Sequence, residues 1–300
     1  AALLEYLKAR TGGTVPISLK QTWEETAVAP AFTGLLNESY GSGAAAAYST
    51  RRLNGNYTGA CMTIRRASDS TTTTIGFSGE EIDEAAITTF CTGTTCTVVT
   101  WHDQSQTGGT GVGNDATAPA TANEPTIYTG GQLIKKGGRL AVEFDGTDTY
   151  LEDGAVITDQ NAAFVAVATS YVVDSTSAAI GGLLASQTSW NSGFALTQVY
   201  TDLRFSVKAS DLDVGISQGT QFVAFANYDG TTQGLSINGT NSTAASSQIF
   251  SISYDTKIGT RSSSTQRWDG TTQELIFYNS VKSTDRTDIE SNVGDYFTQN

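Results

Sequence analysis

Three hundred residues with a formal net charge of −13 and a pI near 4.4 make enough chain for one large β domain or two smaller ones with a substantial core. That charge argues against a phosphate backbone as partner, since such a partner needs a basic surface. No stretch reaches the roughly 18 consecutive apolar residues of a membrane-spanning helix. Hydrophobic residues make up 38% and charged residues 16%. The remainder is largely Thr, Ser, Gly, Asn and Gln, a mixture that suits strands joined by turns.

The chain opens on AALLEYLKAR, with Leu3, Leu4 and Leu7 at helical spacing, Tyr6 alongside, and Gly12 and Gly13 as a stop. A short amphipathic helix cannot make its own core, so it is expected to dock elsewhere. Residues 14–40 have weak periodicity and read as an arm. No basic segment followed by an apolar stretch marks a secretory leader, although one removed before residue 1 stays open. Four Asn-x-Ser/Thr matches, at Asn37, Asn56, Asn238 and Asn241, are what chance provides in such a composition.

CMTIRRAS (61–68) alternates like a strand. EIDEAAITTF (81–90) is the interior helix candidate, with Ile82, Ala85, Ala86 and Phe90 on one face. CTVVTWHD (96–103) reads as a strand, followed by the glycine-rich QTGGTGVGND, which lacks the Lys and the following helix of a phosphate-binding loop. Strand-like runs then recur at 139–152, 162–172, 202–209, 221–230, 233–240, 256–262 and 270–279. That spacing predicts an antiparallel sandwich or jelly roll. STDRTDIESNVGDYF closes the chain as a helix, with Ile289, Val293 and Tyr296 sharing a face.

Two stretches carry a resemblance. AYSTRRLNGNYTGACMTIRRASDSTTTTIGF, FCTGTTCTVVTWHDQS and GNDATAP, spread over residues 47–119, resemble the first half of the catalytic domain of the α-L-arabinofuranosidase B family. VEFDGTDTYL, together with IGTRSSSTQRWDGTTQELIFYN and the final helix, is similar to the laminin-G or concanavalin-like jelly roll. Together they imply an all-β, concanavalin-like antiparallel sandwich over residues 41–300, preceded by an N-terminal helix and arm over 1–40.

The resemblance also bears on single residues. His102, the one histidine, sits beside Asp103. Neighbours on a strand point to opposite faces, so Asp103 is poorly placed to orient it, and the resemblance puts the Asp-Gln-Ser stretch in the framework. Cys91 and Cys96 match the family's hairpin cysteines, which implies a local disulfide; spacing alone is only permissive. A zinc site would need two more ligands nearby. Cys61 is left over and reads as buried.

Family resemblance implies a retaining mechanism with a Glu nucleophile on a mid-domain strand and an Asp acid after an Ile-Leu-Gly-Thr strand. The nearest stretch to the first, STSAAIGGLLASQ (175–187), has no carboxylate, and no Glu occurs between Glu152 and Glu274. Ser262, Ser263 and Ser264 stand where the acid belongs, and the family's adjacent Cys-Cys pair is missing. Asp255, Asp269 and Glu274 are the possible substitutes. The expectation is therefore a non-catalytic module of the kind found in tailed-bacteriophage virions. In this reading a capsid or tail fibre or decoration protein is anchored to other virion proteins through its N-terminal arm, assembles in several copies and faces host-surface glycans. The alternative is a secreted carbohydrate-binding module or an active arabinofuranosidase. Trp190, Tyr228, Arg261, Arg267 and Trp268 are the candidate carbohydrate-binding residues, through aromatic stacking. No cofactor is expected beyond a calcium ion that Asp145 and Asp148 could hold.

Overall fold

Apolar residues run almost unbroken from Ala162 to Ser170, and the computed structural model gives the reason: all nine residues are buried, because both faces of this strand are covered. The structure describes residues 32–105, 113–154, 156–171, 180–186, 192–249, 254–261 and 266–297. The expected N-terminal helix, most of the arm, the glycine-rich loop at 106–112 and Trp190 lie outside the described residues.

The first half contributes β1 (Ala44–Ser49), β2 (Met62–Arg66), β3 (Thr72–Ile75), α1 (Glu84–Cys91), β4 (Cys96–Trp101), β5 (Ala116–Thr117), β6 (Thr126–Thr129), β7 (Val142–Asp145) and β8 (Leu151–Asp153). The second half contributes β9 (Ala162–Ser170), β10 (Ile180–Ser186), β11 (Phe194–Val199), β12 (Asp202–Val207), β13 (Ser210–Gly215), β14 (Gln221–Tyr228), β15 (Thr232–Ile237), β16 (Thr240–Ala245), β17 (Thr256–Ile258), β18 (Asp269–Tyr278) and α2 (Arg286–Phe297).

Hydrogen bonding is antiparallel between the labelled strands and divides them into two layers. One runs β16-β15-β14-β9-β18, and the far edge of β18 is shared by β1 and β7. The other runs β13-β12-β11-β10-β17-β8-β5-β4-β2-β3. Strand β6 pairs with both β4 and β7, so the layers join at that end.

Alternation along β9 explains its composition. Ala162, Phe164, Ala166 and Ala168 face the core between the layers. There the Phe164 ring packs edge-on at 5.4 Å from Phe194 and 5.9 Å from Phe205. Ala163, Val165 and Val167 face the other way, into a second cluster with Ile289, Val293 and Phe297 of α2. Those three are spaced i, i+4, i+8 and form one helical stripe. Tyr296, expected on that stripe, is only partly buried and lies 4.1 Å beneath the Arg139 guanidinium.

Helix α1 starts where Asp83 Oδ1 accepts the Ala86 amide at 2.9 Å, an N-cap that satisfies a free donor of the first turn. Its buried residues are Ile87 and Cys91 rather than Ala85 and Phe90. Cys91 is disulfide-bonded to Cys96 at the start of β4, which turns that side of the helix inward. Cys61 is free and buried. Residues 33–40, read as arm in the sequence, belong to the same compact unit as the sandwich. Leu35 is 1% exposed, and Tyr278 Oη donates to Gly41 O at 3.0 Å.

Candidate active site

Strands β8 and β17 pair so that Asp153 stands opposite Thr256 and Glu152 opposite Lys257. This register brings Glu152, Asp153 and Asp255 together around a cleft of about 420 Å³, walled on the other side by residues 117–119. Asp255 is exposed and Asp153 partly buried. Glu152 is held by Lys257 Nζ at 2.7 Å.

Asp153 is the distinctive member. Its Oδ1 accepts the Gly154 amide at 2.6 Å, and its Oδ2 lies 3.3 Å from the Tyr48 hydroxyl, whose nearer acceptor is Asn114 O. Burial pushes its carboxyl up to about 6, with the charges of Asp103 and Asp115 adding to the rise and the two hydrogen bonds opposing it. Tyr48 is fully buried, and burial together with the Asp153 and Asp103 charges raises its phenol well above the usual value. Asp153 therefore keeps a proton to higher pH than an ordinary carboxyl, at the edge of an open cleft. A proton donor for a leaving oxygen needs that property.

Behind the cleft, His102 is organised by Asp115 rather than Asp103. His102 Nδ1 lies 2.7 Å from Asp115 Oδ2, and Nε2 lies 2.9 Å from Thr63 Oγ1. Burial pushes Asp115 up, but the hydrogen bonds from His102 and the Asp103 amide outweigh it and leave the carboxyl below its ordinary value. Asp103 has a framework role: Oδ1 accepts the Ala47 and Ser105 amides, each at 2.8 Å. Gln104 does the same from the next position, accepting the Leu53 amide at 2.8 Å and donating to Ser49 O and Arg51 O at 3.0 Å each.

Of the three substitute carboxylates, only Asp255 reaches the cleft. Glu274 is fully buried and paired bidentately with Arg51. Asp269 stands opposite Asp145 in the ladder, and burial, then that neighbour's charge, raises its carboxyl. Asp145 in turn uses Oδ1 to accept the Thr147 amide at 2.9 Å and the Thr149 hydroxyl at 2.8 Å, a turn-closing role. Among the described residues no cluster of three or more His, Cys, Asp or Glu could hold a metal.

The aromatic binding expectation needs correction. Tyr228 and Trp268 are both 0% exposed. Tyr228 Oη donates to Gln248 O at 2.9 Å, and the Trp268 ring stands edge-on to Phe222. Both large rings serve the core rather than the surface. Arg261 is 1% exposed, and burial lowers its guanidinium to about 10. Arg267 alone of the described four remains partly exposed, 4.2 Å over the Tyr150 ring.

The family model for the catalytic domain of α-L-arabinofuranosidase B matches residues 36–192. An α-L-arabinofuranosidase B of Emericella nidulans is 40% identical over 87 residues, which is 28% of this chain and 16% of that protein. A GH54 α-L-arabinofuranosidase soaked with a cyclic sulfate inhibitor superposes with a TM-score of 0.62 at 19% identity. An arabinofuranosidase complexed with arabinofuranosyl-α-1,2-xylobiose gives 0.56 at 18%. Each superposition covers 83% of this chain and 62% of the other, so the chain spans less than two thirds of these relatives. These likenesses overturn the expectation of a virion fibre or decoration protein and favour the arabinofuranosidase alternative.

Proposed function

This chain belongs to the α-L-arabinofuranosidase B catalytic family, matched over residues 36–192, and from that premise we propose that it is a glycoside hydrolase domain acting on α-L-arabinofuranosides. The observation that carries the proposal is the cleft in which Asp153, with its carboxyl pushed up to about 6, meets Asp255, the residue just before β17. Asp153 serves as the acid that protonates the leaving glycosidic oxygen. Asp255, exposed to solvent, serves as the carboxylate that attacks the sugar or activates water. Tyr48, whose own proton goes to Asn114 O, offers its hydroxyl oxygen 3.3 Å from Asp153 Oδ2 as an acceptor for the protonated acid. A disulfide between Cys91 and Cys96 suits an oxidising compartment, so we place the domain outside the cytoplasm.

The test is release of arabinose from an aryl α-L-arabinofuranoside by the chain and by its Asp153→Asn and Asp255→Asn variants. Turnover that either substitution abolishes supports the assignment. Turnover indifferent to both would place the chemistry elsewhere.

A second reading is a carbohydrate-binding domain that does not cleave. It is favoured by the absence of carboxylates in residues 175–187 and by the serines at 262–264, where the family's pair belongs. Saturable saccharide binding with no turnover would support it.

A further inference from the structure

A second cavity, of about 570 Å³, lies between α2 and the β14–β15 layer. Its volume is in the range of small-ligand sites. Gln221 and Asn238 line one wall, and Thr287, Glu290 and Ser291 line the other. Glu290 is 8% exposed, and its Oε2 accepts from Arg286 Nη1. Its Oε1 has no hydrogen-bond partner. A buried carboxylate oxygen in that state calls for a donor. Asn238 uses Oδ1 to accept the Val223 amide at 2.9 Å, which leaves its NH2 group for a ligand.

The lining also defines the ligand by exclusion. Its one cation, Arg286, is already engaged by Glu290, and Asp295 adds a negative charge, so a phosphate or other anion is poorly received. No aromatic ring is present, and Val223 is the one sizeable apolar side chain, so a flat hydrophobic ligand has nothing to stack on. Amides, hydroxyls and a carboxylate together match alternating donors and acceptors on a neutral polyol.

We propose that the groove between α2 and the β14–β15 layer binds a neutral saccharide unit, separately from the acidic cleft. Entry requires a modest shift of the Glu290 side chain, since Oε1 is shielded from solvent. A sugar hydroxyl then donates to that oxygen, and the Asn238 amide donates to a neighbouring hydroxyl oxygen. This site does not depend on whether the cleft hydrolyses its ligand.

Gly294 supplies the test. It lies on the groove wall, and a Cβ built there meets nothing within 4 Å. Gly294→Trp fills the groove, while Gly294→Ala controls for the helix, which either substitution rigidifies. The intact chain is titrated with L-arabinose and a linear arabino-oligosaccharide, with spermidine and inorganic phosphate as alternative probes, following backbone amides by NMR. The expected result is saccharide-induced shifts at Asn238, Gly239 and Ser291, retained in Gly294→Ala and weakened at least tenfold in Gly294→Trp. Shifts confined to residues 152–154 and 255, preference for spermidine or phosphate, or no binding would each overturn the proposal. Aryl-arabinofuranoside turnover, read on the same samples, reports the cleft independently, so failure of one assignment is distinguishable from failure of the other.

Discussion

Arg51 and Glu274 form a bidentate ion pair inside the sandwich, with Nε to Oε2 at 2.8 Å and Nη2 to Oε1 at 3.0 Å. Ser49 Oγ donates to the same Oε2 at 2.7 Å, and the Arg51 guanidinium lies 4.8 Å over the Tyr296 ring of α2. The pair thus ties β1, β18 and the closing helix together. Removing one partner leaves an uncompensated buried charge, so Arg51→Met is expected to destabilise by roughly 3–5 kcal/mol. The double variant Arg51→Met with Glu274→Leu should recover most of that loss. Urea denaturation of the three proteins checks this, and a double variant as unstable as the single one would show that the pair contributes more than mutual neutralisation.

Asp153 carries a pH prediction for activity and another for stability. In the role proposed for it, a general acid, it must be protonated, so turnover should fall as pH rises through about 6. Asp153→Asn should lower kcat by about 10²–10⁴-fold, the usual worth of a positioned acid. For stability the sign follows from linkage. The folded carboxyl lies above its ordinary value of 3.8, so ionisation is harder in the folded state than in the unfolded one. Relative to Asp153→Asn, the parent protein should be at its best below pH 4 and lose that advantage as pH rises to about 6. Thermal melts at pH 3.5, 5 and 7 read the difference. An advantage that grows with pH would contradict the environment described for Asp153.

Much of the scaffold was legible because alternation and burial go together. The Ala162–Ser170 run, the closing helix and the strand at Asp269–Tyr278 all carry their periodicity in the chain. Ser210–Gly215 and Thr240–Ala245 did not stand out, since these strands are polar and half exposed. The cleft was invisible for a different reason. Asp153 and Asp255 are separated by about a hundred residues, and only the β8–β17 register brings them together. Nothing local distinguishes Asp153 from any acidic residue before a glycine. Its raised carboxyl comes from burial and from Asp103 and Asp115, which are distant in sequence.

Trp268 separates a binding role from a packing role. A surface residue that stacks on sugar would lose affinity on truncation and leave the fold intact. With the ring fully buried against Phe222, Trp268→Ala should instead destabilise by about 3–5 kcal/mol. Chemical denaturation measures the loss. Unchanged stability with weakened saccharide binding would return Trp268 to the list of ligand contacts.

Gly182 tests whether β10 could carry a catalytic carboxylate. Its stretch of sequence is the nearest to the one on which the family resemblance implies a nucleophile, and an acidic substitution there is the natural way to supply a carboxylate. The structure argues against it. A Cβ at this position would lie 2.1 Å from Arg261 N and 2.4 Å from Thr260 C, both backbone atoms that cannot rotate away. The close approach is fixed on both sides, because Gly259 N donates to Leu183 O at 2.9 Å and Gly182 forms a parallel bridge with Arg267. Gly182→Ala is therefore expected to cost at least about 1–3 kcal/mol, the usual penalty of overpacking, and Gly182→Glu should cost more. Melting temperature and aryl-arabinofuranoside turnover, measured together, decide the matter. A folded Gly182→Glu protein with enhanced turnover would show that β10 can separate from the 259–261 segment, whereas a destabilised protein without added activity fits a strand whose glycine is required by packing.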